Sequence, residues 1–272
     1  MVNGKKIEFI FADHLNKADI AAGKAREWFD AQGVDMILGG ANSGAALATA
    51  KVAVDKKKVY INVGAGTSRL TNEECNPYTI HYSYDTVALA KGTGGAVSRQ
   101  GGKTWYFITA DYAFGTSLEG DTTRVVKASG GNVLGSSKHP VGASDFSSFI
   151  LQAQASKAQI LGLANAGDDL VNAIKSANEF GLKKNMKIAA LLMYLSDVHA
   201  LGLQQTQGML LTDSWYWDTS DATRAWAKRY FERVKKMPNS GHAGDYSAVT
   251  TYLNAVKATG TDNPEKIIAH LK

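Results

Sequence analysis

A short apolar strand running into a loop of small residues that opens a helix occurs four times along this chain. VDMILGGANSGAALATA begins at Val34, with Ser43 closing the loop, and VYINVGAGTSRLT begins at Val59, with Thr67 and Ser68 in its loop. TWYFITADYAFGTS from Thr104 puts Tyr112 at the end of the strand, and QILGLANAGDDLVNAI from Gln159 sets Asn165 and Gly167 ahead of a helix. Strands alternating with amphipathic stretches commit a chain to parallel βαβ units, an α/β fold. In open α/β sheets the loops at the carboxyl ends of the strands bind small ligands. The free N–H groups and dipole of the helix that follows favour an anionic group there. These loops carry hydroxyls, amides and one tyrosine, with no Ser/His/Asp or Cys/His set close in sequence. The pattern points to binding rather than catalysis.

At 272 residues the chain has room for two domains, and 44% hydrophobic content supplies their cores. No stretch approaches the roughly 18–20 apolar residues of a membrane span, and Met1–Lys6 lacks the basic-then-apolar pattern of a signal peptide. One cysteine, Cys75, excludes an internal disulfide. The net charge of +5 is a mild excess of 30 basic over 25 acidic residues. The basic runs at Lys56–Lys58 and Lys235–Lys236 are separated and lack interleaved aromatics, which argues against a nucleic-acid groove.

Strands are expected at Ile7–Phe11, Met36–Leu38, Val59–Val63, Thr79–His81, Thr104–Ile108, Val133–Ser136, Ile160–Leu163, Lys187–Leu191 and Met209–Thr212. Gly33 and Gly181 are placed as helix stops, with Phe180 buried at the last turn of one helix. After Trp217 the pattern changes to consecutive helices, Asp221–Lys236 and Ala243–Ala258, and a third that Pro264 starts. A run of βα units followed by helices suggests a chain that crosses to a second lobe and returns.

Several motifs are partial. The Gly39–Gly44 string lacks the Lys–Ser/Thr pair of a P-loop, since Ala45 and Ala46 stand there, and neither GAGTSR nor GTGGAV completes a dinucleotide pattern. Ser43 and Thr67 are either helix N-caps or ligand contacts. Tyr112 is either a loop aromatic or a hydroxyl offered to a ligand. In DSWYWDTS, Trp215, Tyr216 and Trp217 cannot all face one core, so a cleft wall or hinge stands beside surface packing as their role. His14, His81, His139, His199, His242 and His270 show no metal-ligand spacing. Asp168–Asp169 at a helix start reads as dipole and capping chemistry, and no GxSxG elbow is present.

The order strand–GxxxS–helix, strand–GAGTSxLT, DYAFG, GxSDFSSFI from Gly142, GLANAGDD and EFGL from Glu179 resembles the solute-binding proteins of branched-chain amino-acid-type ABC transporters, the Leu/Ile/Val-binding protein family. The resemblance runs from Gly4 to Lys272. It implies a two-lobed type I periplasmic-binding (Venus-flytrap) fold, each lobe a mostly parallel sheet flanked by helices, with ligand in the interlobe cleft. Lobe one would comprise residues 1–83 and 217–272 and lobe two residues 84–216, with crossovers near Ser83–Asp85 and Ser214–Trp217. Ser43 and Thr67 would hold a ligand carboxylate, and Tyr112 with the Asn165–Gly167 loop would contact the ligand from the other lobe. The implied partners are a small carboxylate ligand and the membrane permease of an ABC transporter, in the periplasm, with no nucleic acid, membrane insertion, cofactor, metal or catalytic residue.

Two departures sharpen this expectation. Amino-acid binders of the family carry an acid in a GPE-like turn to pair the ligand's ammonium; here LLMYLSD from Leu191 puts Met193 and Tyr194 at that turn, with Asp197 displaced into the next helix. Burying an unpaired ammonium is costly. Met193, Tyr194, Trp215 and Tyr216 suit an aromatic or hydrophobic body on the carboxylate. The family's first strand and helix and its final return to lobe two also have no counterpart here, so an isolated chain is expected to associate or unfold readily. A sensory ligand-binding domain of the same fold and a Rossmann-like enzyme are the alternative readings.

Overall fold

The computed structural model describes every residue from Met1 to Lys272. The chain forms two compact units, Met1–Tyr84 with Gly241–Lys272 and Asp85–Ser240.

Unit 1 runs α1 (Ala18–Ala31), β1 (Met36–Leu38), α2 (Ser43–Lys56), β2 (Val59–Asn62) and β3 (Thr79–His81), and the chain returns to it with α11 (Ser240–Thr259) and α12 (Pro264–Leu271). Its sheet has the order β1-β2-β3, all parallel. Every residue of β2 is buried, as expected of a parallel strand covered on both faces. Tyr60 packs with Ala25, Phe29, Ala46, Ala50 and Ala53 from α1 and α2. Val59, Ile61 and Val63 pack with Tyr252, Ala255 and Ile267 from α11 and α12. The alanines of α2 let that helix lie close on the sheet. Pro264 stands in the first turn of α12, where its missing N–H has no partner to lose, and Asn263 caps the helix by accepting from Lys266 N at 3.1 Å.

Unit 2 begins with α3 (Thr86–Leu89), which passes through a π-turn (Ala90–Gly94) into α4 (Gly95–Arg99). There follow β4 (Thr104–Ala110), α5 (Ala113–Ala128), β5 (Asn132–His139), α6 (Ser147–Ala155), β6 (Ile160–Ala164), α7 (Gly167–Glu179), β7 (Lys187–Ala190), α8 (Leu195–Leu201), α9 (Leu203–Thr206) and α10 (Asp221–Val234). The sheet order is β5-β4-β6-β7, again all parallel. Ile108, Phe146, Ile150, Leu161, Leu163, Leu170 and Ile174 form its core.

Three glycines explain sequence motifs by close approach. A Cβ on Gly162 in β6 would sit 2.5 Å from the Phe107 ring. In DYAFG, a Cβ on Gly115 would run into the carbonyl oxygen of Ala110, so this glycine lets α5 start tight against the end of β4. The GTGGAV string lies inside the α3–α4 helix, where a Cβ on Gly92 would collide with Thr212; its glycines serve packing.

Four expectations are corrected. Residues 7–11 form no strand, and Phe9 and Phe11 are 79% and 86% exposed; apolar alternation without an adjacent strand yields no ladder. Met209–Thr212 is likewise irregular. Phe180 is 39% exposed rather than buried, because the preceding helix ends at Glu179 and Gly181 turns the chain away with φ of +65°. The second boundary falls at Ser240/Gly241 rather than near Ser214–Trp217, so residues 217–240, α10 included, belong with unit 2. The packing of Trp226 on Trp215 accounts for this, since it ties α10 to the chain that precedes it.

Candidate functional site

In unit 1 the loops after β1 and β2 lock onto each other. Gly39 and Gly40 follow β1 with φ of +99° and +97°, a region closed to most side chains. Gly39 N donates to Ile61 O at 3.0 Å, and Tyr60 Oη donates back to Gly39 O at 2.7 Å. A Cβ on Gly40 would stand 2.8 Å from that hydroxyl. Burial pushes the Tyr60 phenol well above its ordinary pKa, so it remains a donor. After β2, Asn62 folds its loop by donating to Ala65 O at 2.7 Å and accepting from Ala65 N at 3.3 Å.

These contacts bring Ser43 and Thr67 together. Thr67 N donates to Ser43 Oγ at 3.2 Å, and both residues have zero exposure. The cap of α2 is Asn42, whose Oδ1 accepts from Ala45 N at 3.0 Å, so Ser43 is the first helical residue and its hydroxyl does no capping. Thr67 does cap the short turn Ser68–Thr71, accepting from Arg69 N at 3.4 Å. The arrangement presents hydroxyls and helix-start N–H groups, a donor set suited to a carboxylate.

In unit 2 the ends of β4, β5 and β6 are neighbours, and larger groups stand on them. Tyr112 is half-buried at the start of α5, its ring 5.9 Å from that of Phe114. Burial first, then the Asp169 carboxylate and Tyr194, hold its phenol far above the usual value. His139 ends β5 with zero exposure, and Asn165 follows β6, also with zero exposure. The two side chains meet at 3.2 Å, His139 Nε2 to Asn165 Nδ2. Gly167 opens α7 with φ of +60°. Asp169, in the first turn of that helix, accepts from Gly142 N at 3.0 and 3.2 Å and so pins the GxSDF loop. Burial raises the Asp169 pKa, against the lowering effect of the Gly142 N–H and of His139.

At the turn where amino-acid binders of the family carry an acid, the chain has Met193 and Tyr194, with Asp197 in the helix that follows. Met193 is 1% exposed and packs in the unit 2 core. Tyr194 precedes α8, and its N–H donates to Asp197 Oδ2 at 2.9 Å. Asp197 is thus committed to the helix start, and burial raises its pKa above the ordinary 3.8. In the aromatic run, Trp215 packs edge-on against Trp226 of α10 at 5.4 Å, while Tyr216 is 46% exposed beside Trp217.

The sequence carries no motif that marks His139 or Asn62 as part of these loops, and Asp169, legible as helix-start chemistry, also holds the GxSDF loop. Asn42 was accessible as an Asn directly before a helix start. His139 had only its place at a strand end to recommend it.

The fold is that of a known family. The periplasmic binding protein family matches residues 1–272, and the chain belongs to it. It is 66% identical to a periplasmic binding protein from Burkholderia mallei, covering 100% of this chain and 72% of that one with a TM-score of 0.99. It is 39% identical to a branched chain amino acid ABC transporter periplasmic ligand-binding protein from Burkholderia xenovorans LB400, covering 100% and 73% with a TM-score of 0.84. A solute binding protein of an ABC transporter from Rhodopseudomonas palustris BisB5, in complex with 3,4-dihydroxy benzoic acid, is 25% identical over 100% and 76%, with a TM-score of 0.90. The chain spans about half the length of the curated relatives it matches, 46% and 49% of two Leu/Ile/Val-binding protein homologues. No helix is long and apolar enough to cross a membrane.

Proposed function

We propose that this chain captures a small carboxylic acid with an aromatic or hydrophobic body, in preference to an α-amino acid, for delivery to the membrane permease of an ABC transporter in the periplasm. The observation that carries the reading is the pairing of Ser43 Oγ with Thr67 N at zero exposure. It brings the loops after two adjacent parallel strands together at their carboxyl ends, where a carboxylate is favoured. Met193 and Tyr194, which stand at the turn where amino-acid binders of the family carry an acid, support the preference against an ammonium. The aromatic acid bound by the Rhodopseudomonas relative supports the body. Tyr112, Asn165, Gly167, Tyr194, Trp215 and Tyr216 are the proposed contacts to that body, with Met193 as the wall behind Tyr194. Capture by closure of the two lobes on the ligand is part of the proposal.

The second reading, a branched-chain amino acid as ligand, is favoured by the descriptions of the Burkholderia xenovorans and Leu/Ile/Val-binding relatives. A thermal-shift screen separates the two, because a ligand that binds only the folded state raises Tm. Aromatic acids and branched keto acids should raise it, and amino acids should do so less. A shift with leucine, isoleucine or valine alone would overturn the proposal.

A further inference from the structure

One buried polar atom at the strand ends of unit 2 lacks a partner, and its surroundings say why. His139 Nδ1 lies 2.9 Å from the carbonyl oxygen of Pro140. A carbonyl only accepts, so a proton sits on Nδ1, and the Asp169 carboxylate 4.0 Å from the same nitrogen favours it there. Nε2 faces the donor Asn165 Nδ2 at 3.2 Å and accepts from it. Phe146 and Phe149 crowd the imidazole edge-on, their centroids 4.8 and 6.0 Å from its own, and restrain it from turning over. The tautomer therefore orients the carboxamide, nitrogen toward His139 and oxygen away. That oxygen, Asn165 Oδ1, is buried without a hydrogen-bond partner. Buried acceptors are rarely left so, and an orphan held in place by a rigid neighbour calls for a donor.

We propose that Asn165 Oδ1 selects the body of the ligand by accepting a hydrogen bond from a hydroxyl group on the bound acid. His139 is the positioning residue that keeps the oxygen, rather than the nitrogen, turned to it. The inference rests on the proposed function and narrows it from carboxylic acids in general to hydroxylated ones. A hydroxyl matches a neutral acceptor. An ammonium would also donate, but a carboxamide leaves its charge uncompensated. A methyl group or bare ring edge leaves the acceptor unsatisfied, which is the basis on which polar sites reject analogues.

The test is a calorimetric titration of the chain with matched probes: benzoate, 3- and 4-hydroxybenzoate, and 3- and 4-methylbenzoate. One hydroxy isomer should bind at least about tenfold more tightly than its methyl counterpart. Asn165→Leu should abolish that ratio, whatever it does to the affinity for benzoate itself. His139→Leu should lower the ratio, and His139→Gln should restore it, because glutamine can donate to Pro140 O and accept from Asn165 Nδ2. A residue that served structure alone would alter both affinities together and leave the ratio unmoved.

The wild-type ratio needs no variant and decides first. Equal binding of hydroxy and methyl probes overturns this inference and leaves the carboxylate reading standing, whereas failure of every benzoate to bind overturns both. A ratio unchanged in Asn165→Leu also overturns the inference.

Discussion

The loops of unit 1 and unit 2 grow from the same device, a parallel strand feeding a helix, yet they are furnished differently. In unit 1 the strand ends carry groups that satisfy one another: Ser43 with Thr67, Asn62 with Ala65, and Tyr60 with Gly39. In unit 2 they carry Tyr112, His139, Asn165 and Asp169, which include ionisable groups and one unsatisfied acceptor. A mutually braced set of hydroxyls and N–H groups suits one unchanging ligand group, the carboxylate. Side chains each oriented by a different neighbour suit discrimination among ligand bodies. On the proposed function, the difference divides affinity and selectivity between two copies of one structural motif.

The largest expected effects break this division directly. Ser43→Ala or Thr67→Ala should weaken binding of every carboxylate by about 1.5–3 kcal/mol, whatever its body, because charge-assisted hydrogen bonds are lost. Titration of a panel of acids checks this, and a loss confined to some acids would merge the roles of the two units. Next is Gly115→Ala in unit 2. A Cβ there meets the Ala110 carbonyl, so the start of α5, and Tyr112 with it, must shift. The expected destabilisation is about 1–3 kcal/mol in urea unfolding, the usual range for overpacking.

Smaller is Asn42→Ala, which removes the cap of α2 and should cost about 1 kcal/mol of stability. Ser43→Ala leaves that cap in place, and its cost in urea comes instead from the buried Thr67 N–H left without its acceptor, about 1–3 kcal/mol.

The smallest effect is in pH. Burial raises the pKa of Asp197 above 3.8 in the folded chain. Between 3.8 and that raised value the folded state binds more protons than the unfolded, so this group's contribution to stability falls as pH rises through the window. Urea midpoints measured across the window should decline less steeply in Asp197→Asn, whose carboxamide oxygen can still accept from Tyr194 N–H. Identical pH profiles would remove the burial argument for Asp197.

Much of this was legible beforehand because it is local. Met36–Leu38 and Thr79–His81 are strands over the expected residues. Val59–Asn62 and Lys187–Ala190 each end one residue earlier than expected. Gly33 and Gly181 do stop helices with positive φ. Ser43 and Thr67, 24 residues apart, meet because equivalent loops at adjacent strand ends must. What failed was non-local. IEFIF from Ile7 has a strand's composition, but a strand needs a neighbour to pair with. The amphipathic pattern of α10 specifies a buried face without saying which unit buries it. His139 finds its amide partner 26 residues downstream, a spacing that matches no motif.

The most direct test of the account compares leucine with 4-methylpentanoate, the same body without the amino group, by calorimetric titration of this chain. On the proposed function the site holds a carboxylate and sets Met193 and Tyr194, rather than an acid, at the turn where amino-acid binders of the family carry one. The des-amino acid should therefore bind more tightly, by at least about tenfold, because a charge left unpaired in a closed site costs several kcal/mol. Tighter binding of leucine would contradict the account.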